Sequence, residues 1–497
     1  MSRINIFRMP ELVGLIHAWM KTTDRLSLAQ TNHGLFEMVM PTLWESVEGL
    51  RQLLALIPNL DRILKLGTQP VEVFNQVLDR ADLTRFDLYA QWVKHLELCK
   101  RGQPKFKSLE LYLLRYFSSK RVLVPNLLSL TCTDFHAHED VQLVLPFLAS
   151  SLVSLKCIFT PSRCNSYMTT NEASLTLYLV SQKCPNLRTL AIYPHNGGDN
   201  DLCAYRFLSH SDQESVIPRL GNLGSFLGGV RSLVSFSCSA QIVNEDCLRT
   251  MSSWRSLESL EIVFDSWMSH EPPRLTDIAF PALKHLSLCQ VNPCAIGIFW
   301  GLSQFVRNLR SVKIFIMTFH SGDLSFDDIL RPALIKIAAG SPKLGKIWIQ
   351  ESYHTAGLSP LNISTLQPLQ KLSLLSIRLE SIVLRGPDDT KLSGLSAALA
   401  LCDMFPNLRE LAVPNTPISV FDLPDVRSRI PQLHLLSLDL AGLPTSDYLI
   451  SDISQLPRNR PGSLRVVEVD IFGVIQQYFG SGTRQTLTYS YAHKIIR

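Results

Sequence analysis

The sequence predicts an α/β fold: three short N-terminal helices, then a long array in which strand and helix alternate and the strands lie parallel, side by side. Three observations predict it. The pattern apolar-x-x-apolar-x-apolar recurs thirteen times in phase, in copies beginning at Val93, Leu127, Leu152, Leu187, Leu233, Leu257, Leu283, Leu309, Leu344, Leu379, Leu408, Leu433 and Leu464, at a mean spacing of about 31 residues. Pro stands two residues ahead of the first apolar position in six of them (Pro125, Pro185, Pro281, Pro342, Pro406 and Pro431). Segments with apolar residues at helical spacing fill several intervals, among them Asp328 to Ala339 and Leu392 to Met404.

Composition agrees. The 497 residues include 81 Leu, and only 18% are charged against a typical ~25%. So apolar a chain is neither intrinsically disordered nor collagen-like. The net charge of +5 is spread along the length, whereas nucleic-acid binding needs clustered Lys and Arg. The eleven cysteines form no CxxC pair and read as reduced core thiols of an intracellular protein. Arg3, Arg8, Pro10 and Glu11 interrupt the N-terminal apolar residues, so no signal-peptide core is expected. No uncharged apolar run reaches the ~20 residues that span a bilayer, and no membrane partner is expected.

Residues 1–48 form the first predicted domain. Pro10 suits a first helical position, and Leu12, Leu15, Ile16 and Trp19 follow at i, i+3, i+4 and i+7, one apolar stripe. Asp24 can cap a second helix that carries Leu26, Leu28 and Ala29, and a third runs from Gly34 toward Met40. Three helices of ~10 residues cannot bury so many apolar side chains, which leaves surface for a partner. Pro10-Glu11-Leu12, then Asp24-Arg25-Leu26-Ser27-Leu28, then Leu43-Trp44-Glu45 stand in the order and spacing of an F-box, which the segment resembles, although Thr31-Asn32-His33-Gly34 replaces the usual Cys-Arg-x-Trp. The resemblance implies docking to the Skp-type adaptor of a cullin-RING ubiquitin ligase through Pro10, Leu12, Ile16, Leu26, Leu28, Leu43 and Trp44. The alternative is a plain helical cap, which every such array needs at its end.

Residues 49–92 are helical in pattern, with Leu50, Leu53, Leu54 and Ile57, then Val71, Phe74 and Leu78, and contain no Gly/Ser linker. A rigid connection is expected. The array occupies 93–497. Within each copy, apolar and polar residues alternate at period 2, as a half-buried strand requires, and Pro ends the preceding helix. One copy buries too few side chains to fold alone, so the copies must stack. These units resemble irregular leucine-rich repeats, which implies a solenoid with strands on its concave face and helices outside. Two further matches fit helices better: Phe106 to Leu111, only 13 residues after Val93, and Leu369 to Leu374.

Chemistry is harder to find. His136-Ala137-His138-Glu139-Asp140 has metal-type residues but no second ligand cluster. Gly221 to Gly229 lacks the Lys-Ser/Thr of a phosphate loop, and Gly480-Ser481-Gly482 lacks the spacing of a nucleophile elbow. No cofactor, no metal and no catalytic set is expected. Binding reads better: outward strand positions carry Lys156, Glu261, Lys313, Trp348 and Glu468, with Tyr193 and Phe315 just beyond the strands. Of these, Glu261, Lys313, Trp348, Phe315 and Tyr193 are the candidate target-binding residues, on a mixed-sign face suited to a protein rather than a polyanion. The long interval after Leu187 is a second candidate. The predicted function is substrate recognition within a ubiquitin ligase, without enzymatic activity of its own; a leucine-rich-repeat scaffold whose helices only cap the array is the alternative.

Overall fold

In the computed structural model, nearly every copy of the apolar pattern becomes one rung of a parallel ladder. The structure describes residues 10–60, 71–98, 108–132, 143–158, 168–195, 223–264, 279–291, 293–316, 325–351, 359–386, 388, 390, 392–418, 428–429, 435–440 and 466–470. Two compact units divide the chain, Met1–Leu257 and Glu258–Arg497.

The first unit runs α1 (Pro10–Trp19), α2 (Thr22–Ala29), α3 (His33–Leu43), β1 (Ser46–Glu48), α4 (Leu50–Leu54), α5 (Val71–Asp79), α6 (Thr84–Ala90), β2 (His95–Leu98), α7 (Ser108–Lys120), β3 (Ser129–Cys132), β4 (Ser154–Cys157), β5 (Met168–Thr169), α8 (Thr170–Lys183), β6 (Thr189–Ile192), β7 (Pro194–His195), α9 (Leu223–Leu227), β8 (Ser235–Ser239) and α10 (Glu245–Ser252). Its ladder is β1-β2-β3-β4-β6-β8, parallel throughout. The second unit runs β9 (Ser259–Val263), β10 (His285–Val291), α11 (Pro293–Phe299), α12 (Ser303–Val306), β11 (Ser311–Ile316), α13 (Phe326–Gly340), β12 (Lys346–Glu351), β13 (Ser359–Asn362), a 3-10 helix (Ile363–Lys371), β14 (Ser376–Glu380), β15 (Ile382–Arg385), α14 (Gly394–Met404), β16 (Glu410–Ile418), β17 (Leu435–Leu440) and β18 (Val466–Asp470). Here the ladder is β9-β10-β11-β12-β14-β16-β17-β18, again parallel.

One backbone device repeats at the rungs. The carbonyl just ahead of one strand accepts two successive N–H groups from the next: Val153 O from Arg188 and Thr189 at 2.8 and 3.0 Å, Lys284 O from Arg310 and Ser311 at 2.7 and 3.0 Å, Arg310 O from Gly345 and Lys346 at 2.9 and 3.0 Å. The apolar positions then interlock from rung to rung; Leu190, Leu260, Leu286 and Leu411 are buried, as their spacing predicts. The fifth leucine expected inward, Leu436, is in register with Leu411, and its side chain lies outside the described residues.

The punctuation has a physical basis. Helices α8, α13 and α14 end one residue before Cys184, Ser341 and Phe405, each with φ near −120 to −130° and positive ψ, and Pro185, Pro342 or Pro406 follows. That ring forbids another helical turn. At the other end, Thr169, Asn244, Ser325 and Ser393 cap helices through their side chains, Thr169 in a reciprocal box with Glu172.

Three expectations need correction. The copy at Leu379 is out of phase: the rung is Ser376–Glu380, because Gly345 O accepts from Leu375 and Ser376, so the copy begins at Leu374. Residues after it, β15, pair instead with β13 in a two-stranded side sheet, and Ser381, at φ 64°, makes the turn between the two. A rung also precedes the array read from sequence, since Ser46, Val47 and Glu48 pair with His95, Leu96 and Glu97. Asp24 does not cap α2; the N-cap is Lys21, and Asp24 lies in the first helical turn, where a carboxylate meets the positive helix end. By contrast, Ser108 to Leu111 of the first rejected match lies in α7 and Leu369 to Lys371 of the second in the 3-10 helix, while Leu372 to Leu374 leave that helix for β14. The segments 136–140, 196–222 and 480–482 lie outside the described residues.

Candidate functional site

Two surfaces gather the residues singled out by sequence. The first is helical. Ala29, Leu35, Val39 and Met40 form a small core, against which Leu28, Phe36, Met38, Leu43, Trp44, Tyr89 and Trp92 pack. Trp44 sits on Tyr89 at 4.7 Å between ring centroids, Tyr89 on Trp92 at 5.2 Å, and Phe36 on Trp92 at 6.2 Å. These aromatics fasten α2 and α3 to the end of α6. No described side chain of helix α1 joins that anchorage: Leu12, Leu15, Ile16 and Trp19 are exposed, Leu15 at 62% and Trp19 at 91%, and Leu26 of α2 is exposed too. Of the seven adaptor-docking candidates, Leu12, Ile16 and Leu26 thus face solvent, Leu28, Leu43 and Trp44 pack against the core, and Pro10 opens α1.

The second surface is the open face of the second unit's ladder. Its strand register sets Glu261, Ser287, Lys313, Trp348, Arg378 and Ala412 in one row across β9, β10, β11, β12, β14 and β16. Trp348 is half-buried, with Lys313 Nζ 3.9 Å and Arg378 Cζ 4.6 Å from the indole. Because β11 and β14 flank β12 on opposite sides, the ring carries one cation on each face. Its Nε1 is buried without a hydrogen-bond partner among the described residues, an arrangement that costs about 1–3 kcal/mol.

Charge around this row is mostly paired. Glu380 accepts from Arg378 Nε. Lys346 Nζ reaches past the Ser376 rung to both carboxylate oxygens of Glu410 at 3.0 and 3.1 Å. Burial works against ionised Glu410, but the hydrogen bonds from Lys346 and Ser376 outweigh it, and its carboxyl is held below the usual range. Lys313 has no carboxylate within ion-pair distance among the described residues.

Three further candidates are placed as follows. Glu261 is half-buried, two rungs from Lys313, and Phe315 stands two residues beyond Lys313 on the same strand face. Tyr193 does not join this surface: only 8% of it is exposed, because after β6 the chain turns into β7, which pairs with β5, and the alternation ends at Ala191. Arg378 is the residue that sequence reasoning missed, since the shifted phase at Leu379 hid its outward position.

Among the described residues no cluster of three His, Cys, Asp or Glu side chains could hold a metal ion, and no helix is long and apolar enough to cross a membrane. Cys132, Cys157, Cys184, Cys238, Cys247 and Cys402 are buried.

No protein-family model matches the chain, and no curated protein does. Among solved structures it is similar to a chain of the yeast Rad7 and Elc1 complex, covering 93% of this chain and 97% of that one at 15% identity, with a TM-score of 0.37. So loose a likeness carries no argument about function.

Proposed function

We propose that this chain is the target receptor of a cullin-RING ubiquitin ligase. In this reading the F-box-like helices α1–α3 dock to a Skp-type adaptor, the ladder holds a target protein, and the chain does no chemistry itself. Its contribution is proximity: it raises the local concentration of target lysines at an enzyme supplied by the rest of the complex. The action is intracellular.

The observation that carries the proposal is the exposed stripe Leu12, Leu15, Ile16 and Trp19, joined by Leu26. Isolated apolar residues at a surface are ordinary, but a contiguous stripe along one helix marks an interaction site. The aromatic anchorage at Trp44, Tyr89 and Trp92 favours a second reading, in which the helices only cap the ladder. Both use α2 and α3 alike; they part at α1. Leu12→Asp combined with Ile16→Asp abolishes co-purification with a Skp adaptor if α1 docks, while circular dichroism and the melting temperature stay near wild type. No adaptor capture by wild type leaves the scaffold reading, and unchanged capture by the variant means that α1 is not the docking surface.

A further inference from the structure

The row Lys313, Trp348 and Arg378 is built from three neighbouring strands. Lys313 Nζ lies 3.9 Å from one side of the indole and Arg378 Cζ 4.6 Å from the other, so the cations are at most about 8.5 Å apart. That separation is about one Debye length at physiological salt, roughly 8 Å, and their fields add at the outer edge of the ring. Neighbouring carboxylates offset these charges only in part. Lys346 is paired with Glu410 and Arg378, through its Nε, with Glu380, whereas Lys313 has no carboxylate within ion-pair distance among the described residues. Glu261 stands two rungs away, beyond Ser287.

We propose that Lys313, Trp348 and Arg378 form a clamp for an acidic, extended segment of the target protein, with two carboxylates at alternate positions. An extended peptide repeats its side chains on one face every ~6.6–6.8 Å, within reach of both cations at once. The aliphatic stems of Glu or Asp then lie along the indole edge. A lone phosphate or a basic peptide uses only part of this arrangement. The proposal rests on reading the ladder as the target-binding element.

Fluorescence anisotropy with the full chain tests it. The probe is a fluorescein-labelled peptide in which Glu alternates with Ala, compared with the same peptide carrying Gln at each Glu and with an oligouridylate of equal length. At 50 mM salt the Glu peptide binds at least tenfold tighter than the Gln peptide. Lys313→Ala and Arg378→Gln each weaken it by five- to tenfold, and Trp348→Ala by about 30-fold. Lys156→Ala, on a rung of the first unit, changes nothing. Both charge variants alter surface side chains and keep the wild-type melt, so lost binding is not lost folding. Equal affinity for the Gln peptide, unchanged binding by the Lys313→Ala/Arg378→Gln double variant, or tighter binding of oligouridylate each overturns the proposal. The ligase reading is scored separately: a chain that captures the Skp adaptor but ignores the Glu peptide refutes this clamp alone, and one that binds the peptide but no adaptor refutes the ligase reading alone.

Discussion

Trp300 donates its indole Nε1–H to Ser341 Oγ at 3.1 Å, and the same hydroxyl donates to the carbonyl of Val306 at 3.0 Å. One buried serine thereby joins the end of α11, the end of α12 and the turn into β12. Val306 O has a second donor, Leu309 N, but Trp300 Nε1 has no other acceptor among the described residues. Ser341→Ala therefore strands a buried indole N–H and lowers stability by about 2 kcal/mol. In a Trp300→Phe background the same change costs about 1 kcal/mol less, because no donor is left unsatisfied. Urea midpoints of the four proteins measure the coupling; additive effects would show that the relay is idle. Gly340 belongs to the same corner, since an added Cβ there meets Val306 at 3.1 Å and Trp300 at 3.2 Å.

The error at β14 shows where the sequence stops being legible. Leu372, Leu374, Leu375, Ile377, Leu379, Ile382 and Leu384 satisfy the repeat pattern in two frames, Leu374 to Leu379 and Leu379 to Leu384. Both put a serine before the central apolar residue, Ser376 or Ser381, and neither carries the Pro two residues upstream. Local pattern cannot choose between them; the shared carbonyl of Gly345 does. Leu374 is buried and Leu375 is partly exposed. Leu374→Ala should cost about 3 kcal/mol and Leu375→Ala about 0.5 kcal/mol or less. Reversed costs in chemical denaturation would restore the Leu379 frame.

The helical surface was legible to a different depth. Periodicity alone aligns Leu12, Leu15, Ile16 and Trp19. It does not say which apolar residues of α2 and α3 face inward, because that is decided by Tyr89 and Trp92, more than 40 residues downstream of Trp44. For the same reason Trp348 could be placed outward from its own strand, while the cations that cover it come from β11 and β14. Alternation along a strand is local information; what stands beside a side chain across the ladder depends on register, and register depends on every preceding rung.

The buried thiols give a pH prediction. Burial pushes Cys184 and Cys247 up to about 11 and Cys402 up to about 12. An unfolded thiol ionises near pH 8.5, so above that pH the unfolded chain holds fewer protons than the folded one. Stability accordingly falls as pH rises, by up to about 1.4 kcal/mol per pH unit for each thiol, until the folded thiols ionise as well. Between pH 8 and pH 10 each contributes a loss of about 2 kcal/mol. Cys402→Ala removes its share, so its urea midpoint declines less steeply over that interval than the wild-type midpoint. Parallel declines would mean that the Cys402 thiol ionises as readily folded as unfolded.

Arg121 closes the end of α7 against α6. Its Nη1 donates to both carboxylate oxygens of Asp87 at 2.6 and 2.7 Å, and its Cζ lies 5.7 Å from the Phe86 ring and 5.9 Å from Phe117. Asp87 is half-exposed, which limits the ion pair to about 1 kcal/mol or less and leaves it open to screening by salt. Contact of the planar guanidinium with two aromatic rings is not screened in this way, and a lysine ammonium does not reproduce it. The expected order of destabilisation is therefore Arg121→Ala, about 2 kcal/mol, then Arg121→Lys, about 1 kcal/mol, then Asp87→Asn, about 0.5 kcal/mol. In 1 M NaCl the Asp87→Asn effect should vanish while the Arg121→Lys effect persists. An Asp87→Asn cost equal to that of Arg121→Ala would mean that the charge pair, not the aromatic contact, holds this corner.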